Sequence, residues 1–361
     1  MFEPLFNSFK IKYTILNELL KDEEYIKKSS TTPINIFINL DSVFKNLCTR
    51  NIDEGIRSND RKKLILEMIS DIFNLGAHYK NYFSKMNKKV ELIFYAGYPY
   101  NKNKYKNLTF NKFYRKNFND KINSTDNIMI KNIFEESIKL AKYISDYMNK
   151  VYILTSDIIE PSLIPYIYNN KISTESHHNI IITKDKYDYQ YINKNYTILR
   201  PKKNSEDYVI NSNNFLDVLK VENKINNPKI INNDFYPFIL SLLGESSRNI
   251  EKIKHVGLSS TINMIITGIK KGLINESSNS IYVLLKLIKD EYKTSVLNNF
   301  FMIDLDSQLS NLNIHDIYLI TSQKIDKFDN KSLKEINDRY FQNYPIYLND
   351  LIYEPISNIF V

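Results

Sequence analysis

The sequence predicts an α/β fold: a central, mostly parallel sheet flanked by helices, followed by a helical C-terminal half. Three observations predict it. Short apolar runs of strand length recur between residues 34 and 200. Segments of helix length separate them, as parallel strands require, because a parallel neighbour is reached only through a crossover. From about residue 206 the strand-like runs stop, and apolar positions fall at helical spacing.

The elements follow in order. Residues 1–28 carry Leu5, Phe9, Tyr13, Ile15, Leu16, Leu19 and Leu20 at helical spacing. They predict an N-terminal helical extension that packs on the body or docks a partner protein. Residues 29–33, SSTTP, read as a linker. Residues 34–40, INIFINL, form a continuous apolar run and hence a buried strand. Residues 64–83 have helical period, and residues 90–95, VELIFY, are a second strand. A helix over 127–149 leads to a third strand, 151–155, VYILT. A short helix over 163–168 precedes strands at 179–183, NIIIT, and 196–200. The predicted organisation is an extension and linker at 1–33, an α/β domain at 34–205 and a helical domain at 206–361.

Residues 99–127 stand apart. They are crowded with Lys, Asn, Tyr and Phe and lack a regular apolar period. Basic residues interleaved with aromatics suit single-stranded nucleic acid, with rings stacking on bases and cations tracking phosphates. The other reading is a surface loop with no partner. Charge is consistent with either. Forty-nine Lys and Arg against 41 Asp and Glu give a formal +8, spread along the chain and not packed into a tail.

Composition excludes several classes. A single cysteine, Cys48, rules out an internal disulfide or a Cys-based zinc cluster, and predicts a reducing, cytoplasmic compartment. The opening residues are interrupted by Asn, Lys and Glu, unlike a signal peptide. No apolar run reaches the roughly 18 residues of a membrane helix. His177 and His178 are adjacent, so they rarely point the same way, and no third ligand sits at helical spacing. Asp306 and Ser307 read as a helix start.

Residues 242–265, LLGESSRNIEKIKHVGLSSTINMI, carry the most information. Gly244, Ser247, Asn249, Ile250 and Gly257, with Ile253 and Val256 between, resemble the helix–three-turn–helix of the flap endonuclease/5′-3′ exonuclease superfamily. Residues 183–192, TKDKYDYQYI, resemble the family's S-x-D-K-D-x-x-Q segment through Asp185, Lys186 and Gln190. Residues 113–121, FYRKNFNDK, are similar to its basic arch segment at Tyr114, Arg115 and Asn117. Residues 296–306, VLNNFFMIDLD, are similar to the segment that closes the nuclease domain in phage members. The resemblance spans about residues 34–310. It implies a PIN-like nuclease fold with a helical arch at about 99–127 and a helix–three-turn–helix at about 236–275. Abundant Asn, Ile, Lys and Tyr fit an AT-rich genome such as a phage's.

Chemistry in that family needs dense carboxylates, because two divalent ions about 4 Å apart grip the scissile phosphate and activate water. This sequence departs from the pattern. Asn39 stands where the first strand should end in Asp, and Asp41 lies two residues on. Ala96 and Gly97 end the second strand. Tyr187 takes the place of a partner acid, with Asp188 next to it. Glu160 is the one acid of the segment IEPS, and Asp157 is a near miss. Glu245 replaces one aspartate of the helix–three-turn–helix, and Arg248 replaces the other.

Three readings follow. In the first, a nuclease-like protein has lost or nearly lost cleavage. It binds branched DNA or a single-to-double-strand junction, or serves as a subunit of a viral replication, transcription or packaging assembly. Its nucleic-acid contacts would be Lys112, Arg115, Lys116, Lys252, Lys254, Gly257, Ser259, Ser260 and Thr261. A K⁺ ion at the helix–three-turn–helix is implied by the resemblance. In the second, the chain is an active Mg²⁺- or Mn²⁺-dependent 5′-3′ exonuclease or flap endonuclease with a displaced site. Its metal ligands would be Asp41, Glu160, Asp185, Asp188 and Glu245. Asp185 and Glu245 would be the in-register catalytic acids, and Arg115 would steady the phosphate. In the third, the chain is purely structural.

Overall fold

A computed structural model describes residues 33–43, 61–84, 89–97, 125–145, 150–155, 160–169, 178–194, 196–201, 208–212, 215, 218–219, 233–245, 248, 250–275 and 280–310. The N-terminal extension, the arch-like insertion with Lys112, Arg115 and Lys116, and Asp157, His177, Ser247 and Asn249 lie outside the described residues.

Six strands form one sheet in the order β3-β2-β1-β4-β5-β6. They are β1 (Ile34–Asn39), β2 (Val90–Ala96), β3 (Val151–Thr155), β4 (His178–Ile182), β5 (Tyr196–Arg200) and β6 (Tyr208–Ile210). The first five pair in parallel. β6 pairs antiparallel with β5, Ile198 opposite Ile210. Strands therefore do not stop at 206, as the sequence predicts. Three residues are too few to show an alternation, and their pairing comes from β5 and not from local pattern.

Alternation explains the two covers. Ile34, Ile36 and Ile38 of β1 share one buried cluster with Leu92, Phe94, Val151, Ile153, Ile180 and Ile182. The same cluster holds Ile65, Ile69, Ile72 and Phe73 of α1 (Arg61–Ser84), and Ile133, Ile138 and Ala141 of α2 (Thr125–Ser145). In each helix the spacing of three and four residues makes a single apolar face. Gly76 lets α1 lie close on the sheet: a Cβ there would stand 2.5 Å from Phe94 Cζ.

The alternate residues of each strand point the other way. Phe37, Ile93, Tyr95, Leu154, Ile181 and Ile198 meet a second cluster. Its cover is the 3-10 turn Pro161–Leu163 with α3 (Ile164–Ile167), the 3-10 helix Lys186–Lys194, and parts of the C-terminal half. Residues buried on both faces read as continuous apolar runs, which is why these strands were legible.

The C-terminal half has its own core. α4 (Tyr236–Leu243) packs Phe238, Ile239 and Leu242 against Ile262, Ile265 and Ile266 of α5 (Leu258–Lys270). After the short α6 (Ile281–Leu284), α7 (Asp290–Ile303) adds Val296 and Phe300. α8 (Leu305–Ser310) follows, and Asp304 accepts the Ser307 N–H at 2.8 Å, so the cap lies two residues before Asp306. None of the described helices is long and apolar enough to cross a membrane.

Candidate functional site

The strand order reverses between β1 and β4. In an open α/β sheet the crevice beyond the strand ends at such a reversal is the natural ligand position. Asn39 ends β1 there, and Thr183 follows β4. Both are buried, as is Asp188.

Asn39 does two things. Its Oδ1 accepts the Ser42 N–H at 3.0 Å, which caps the helical turn at 40–43. Its Nδ2 donates to Asp188 Oδ2 at 3.1 Å. Thr183 donates to the same oxygen at 2.6 Å, and the Tyr95 hydroxyl reaches it at 3.4 Å. Asp188 Oδ1 is buried and has no hydrogen-bond partner among the described residues. Burial, and then the charge of Asp185, push the Asp188 carboxyl up to about 7, against the hydrogen bond from Thr183 and the charge of Arg248. An orphaned carboxyl oxygen in this position suits a protonated acid better than a carboxylate.

The other half of the site comes from the loop between α4 and α5. Gly244 ends α4 at φ 71°. Glu245 and Ile250 then exchange backbone hydrogen bonds at 3.0 Å, and the Arg248 N–H reaches Glu245 O at 3.1 Å. This tight closure turns Arg248 inward. Asn299 of α7 braces it by donating to Ser241 O at 2.8 Å and Glu251 O at 2.9 Å.

Arg248 is fully buried. Its Nη2 donates to Asp185 Oδ2 at 2.8 Å, to Ser162 Oγ at 3.1 Å and to Glu160 Oε1 at 3.3 Å. Its Nη1 donates to Asp185 Oδ1 at 3.3 Å. The guanidinium carbon lies 3.8 Å from the centroid of the Tyr187 ring. That ring is itself fixed: the Tyr187 hydroxyl donates to Ile303 O, and Gln190 Nε2 donates to the same carbonyl at 3.1 Å. A planar fork can bind two carboxylates and stack on an aromatic face at once, which a lysine cannot. One cation therefore joins the loop after β3, the loop after β4 and the loop after α4.

The structure thus brings Glu160, Asp185 and Asp188 to one end of the sheet, Glu160 and Asp185 through Arg248. Asp41 accepts the Gly97 N–H at 2.9 Å and ties the ends of β1 and β2. Glu245 contributes its backbone to the loop closure and is half-buried. Among the described residues no three His, Cys, Asp or Glu side chains converge to hold a metal ion.

Lys252 and Lys254 are exposed on the loop leading to α5, and His255 turns the chain at φ 63°. Gly257 caps α5: its N–H donates to Ser260 Oγ at 2.8 Å, and Ser260 and Thr261 hydroxyls return to Gly257 O at 2.8 and 2.9 Å. Ser259 and Ser260 are exposed, and Thr261 is buried. Sequence reasoning did not single out Ser162, Thr183, Tyr95 or Asn299. Their only signal is position at a strand end or on a helix face.

No protein-family model matches the chain, and no curated protein sequence matches it. Among solved structures the fold is similar to the flap endonuclease of bacteriophage T5. A pseudo-enzyme form of that protein, in a product complex with DNA and metal ions, gives a TM-score of 0.50 at 12% identity, covering 84% of this chain and 98% of that one. The T5 protein co-crystallised with metal ions gives the same values. What the likeness shows is the fold: a mostly parallel α/β sheet flanked by helices, with a helical C-terminal half, as in the T5 protein.

Proposed function

We propose that this chain is a flap-endonuclease-like nucleic-acid-binding protein that has lost two-metal cleavage. It acts as a DNA-binding or scaffold subunit of a viral replication, transcription or packaging assembly, at branched DNA or a single-to-double-strand junction. The observation that carries the reading is Arg248, whose buried guanidinium bonds Asp185 at 2.8 Å and Glu160 at 3.3 Å. Two hard divalent ions need several oxygen ligands left open to them. Here two of those carboxylates already serve a fixed cation, and Asp188 accepts from Thr183 and Asn39 through Oδ2. The residues present do not fit a metal pair, and Arg248 adds a positive charge that repels one.

The binding half has support of a different kind. Lys252 and Lys254 are exposed beside the exposed Ser259 and Ser260 at the start of α5. Cations and hydroxyls of this type position a phosphate backbone without reading sequence. The T5 protein of the same fold is seen in complex with DNA.

The test is a Mg²⁺ and Mn²⁺ titration on a 5′-labelled flap substrate, with binding followed in parallel and Asp185→Ala as control. Salt-dependent binding without cleavage is the expected result. Cleavage lost in Asp185→Ala overturns the reading and restores an active nuclease. Neither binding nor cleavage leaves a structural part built on a nuclease fold.

A further inference from the structure

We infer that nucleic-acid binding by this chain is independent of divalent cations, because Arg248 is the built-in counter-charge of the carboxylates at the C-terminal end of the sheet. The inference rests on the nucleic-acid-binding reading above and concerns what controls that binding.

A phosphodiester approaching a cluster of bare carboxylates is repelled, and the repulsion is strong where water is partly excluded. A site of that kind accepts a phosphate backbone only after dissociable ions have neutralised it. Arg248 offsets that repulsion in three ways. Its charge is covalently attached and cannot be chelated, and a guanidinium does not deprotonate in a protein. Its place is fixed, since the Tyr187 ring backs it at 3.8 Å and the Tyr187 hydroxyl is bonded to Ile303 O. Its two strongest partners differ in exposure: Glu160 is 5% exposed and Asp185 is 24% exposed, so the carboxylate nearer solvent is the one held at 2.8 Å. Asp41 is engaged with the Gly97 N–H at the ends of β1 and β2 and is not among the partners of Arg248.

The same guanidinium also docks the loop between α4 and α5 onto the sheet, through Glu160 and Ser162 after β3 and Asp185 after β4. Lys252 and Lys254 sit on that loop, exposed. Their position relative to the strand ends is therefore set by these contacts within the chain.

The experiment measures anisotropy of a labelled 5′-flap oligonucleotide with the full chain, in EDTA and in Mg²⁺ at matched ionic strength. The expected result is equal affinity within about twofold, because the phosphate contacts respond to total salt and not to the divalent ion. The thermal midpoint is expected to be unchanged between the two buffers. Arg248→Gln is expected to bind about tenfold or more weakly in EDTA and to recover in Mg²⁺, as bare carboxylates again need an ion. If that variant does not fold, Arg248→Lys keeps the charge and is expected to retain binding in EDTA. Wild-type binding that requires Mg²⁺ overturns this inference alone. So does Arg248→Gln binding that is strong in EDTA. No binding by the wild type in either buffer overturns the nucleic-acid reading itself.

Discussion

Arg248 Nη2 and Asp185 Oδ2 lie 2.8 Å apart, and this contact ties the loop after α4 to the C-terminal end of the sheet. Asp185 follows β4, and Arg248 belongs to a loop that begins more than fifty residues later in the chain. The guanidinium also reaches Glu160 at 3.3 Å, so one cation is shared by two carboxylates. Buried ion pairs contribute little net stability against an apolar replacement, but removing one partner strands the others. The contact is thus better understood as a device that fixes geometry.

That asymmetry sets the first prediction. Arg248→Met leaves Glu160 buried without its cation and deprives Asp185 of its closest partner. The expected loss is on the order of 3 kcal/mol of unfolding free energy, moderated because Asp185 is partly exposed. Glu160→Gln should cost much less, since the amide oxygen can still accept from Nη2. Urea denaturation of both variants checks the order. A larger loss for Glu160→Gln contradicts the shared-cation account.

The second prediction concerns pH. Asp188 is held at about 7 in the folded chain, against 3.8 for an ordinary aspartate. Between those values the folded state binds more protons than the unfolded one. Its contribution is therefore fully present below about pH 4 and is lost as pH rises through about 7. Asp188→Asn mimics the protonated acid and keeps the acceptor for Thr183. Unfolding free energy of the variant, measured from pH 5 to pH 8, should fall less steeply than that of the parent, with the remaining slope coming from Asp71, which burial and Glu67 also push up to about 7. Parallel curves would remove Asp188 as the titrating group.

Asn39 supplies the third. Its Nδ2 donates to Asp188 Oδ2 at 3.1 Å while its Oδ1 caps the following helical turn. Asn39→Asp keeps the cap and exchanges a donor for a second acidic oxygen. At pH 8 both carboxyls favour ionisation at one buried point, and a loss of about 1–3 kcal/mol is expected. At pH 5 Asp188 carries a proton that it can donate to the new carboxylate, and the loss should shrink. A loss independent of pH would mean that the amide, and not the charge, is what the site needs.

The sheet was legible because five of its strands are apolar on both faces, as parallel strands between two helical covers must be. β6 was not, because three residues beside β5 carry no pattern of their own. At the site, Asn39, Tyr187 and Arg248 could be picked out by their departure from a family motif, and Asp185 by its match to it. What they do could not. The sequence suggests that Arg248 repels a metal. Only the folded chain brings Glu160, Ser162 and the Tyr187 ring around it, and those contacts join loops far apart in the chain. The bracing by Asn299 and the hydrogen bond from Thr183 depend on the same long-range packing, which periodicity does not encode.

The last prediction tests whether the loop carrying Arg248 is set by its first residue. Gly244 has φ 71°, a region that L side chains rarely adopt. A Cβ there would stand 2.6 Å from Ile250 O and from Lys252 N, both backbone atoms that cannot swing aside. Gly244→Ala must therefore open the closure between Glu245 and Ile250, whose two hydrogen bonds measure 3.0 Å. The expected cost is more than about 1 kcal/mol, beyond the ordinary effect of replacing glycine at a compatible position. Displacing the loop also moves Arg248 from Asp185, and Lys252 and Lys254 with it. Affinity for the flap oligonucleotide should fall together with stability, and hydrogen exchange at Ile250 and Ile253 should accelerate. An alanine variant with full stability and parental exchange at Ile250 would show that the loop is held by Arg248 and Asn299 alone.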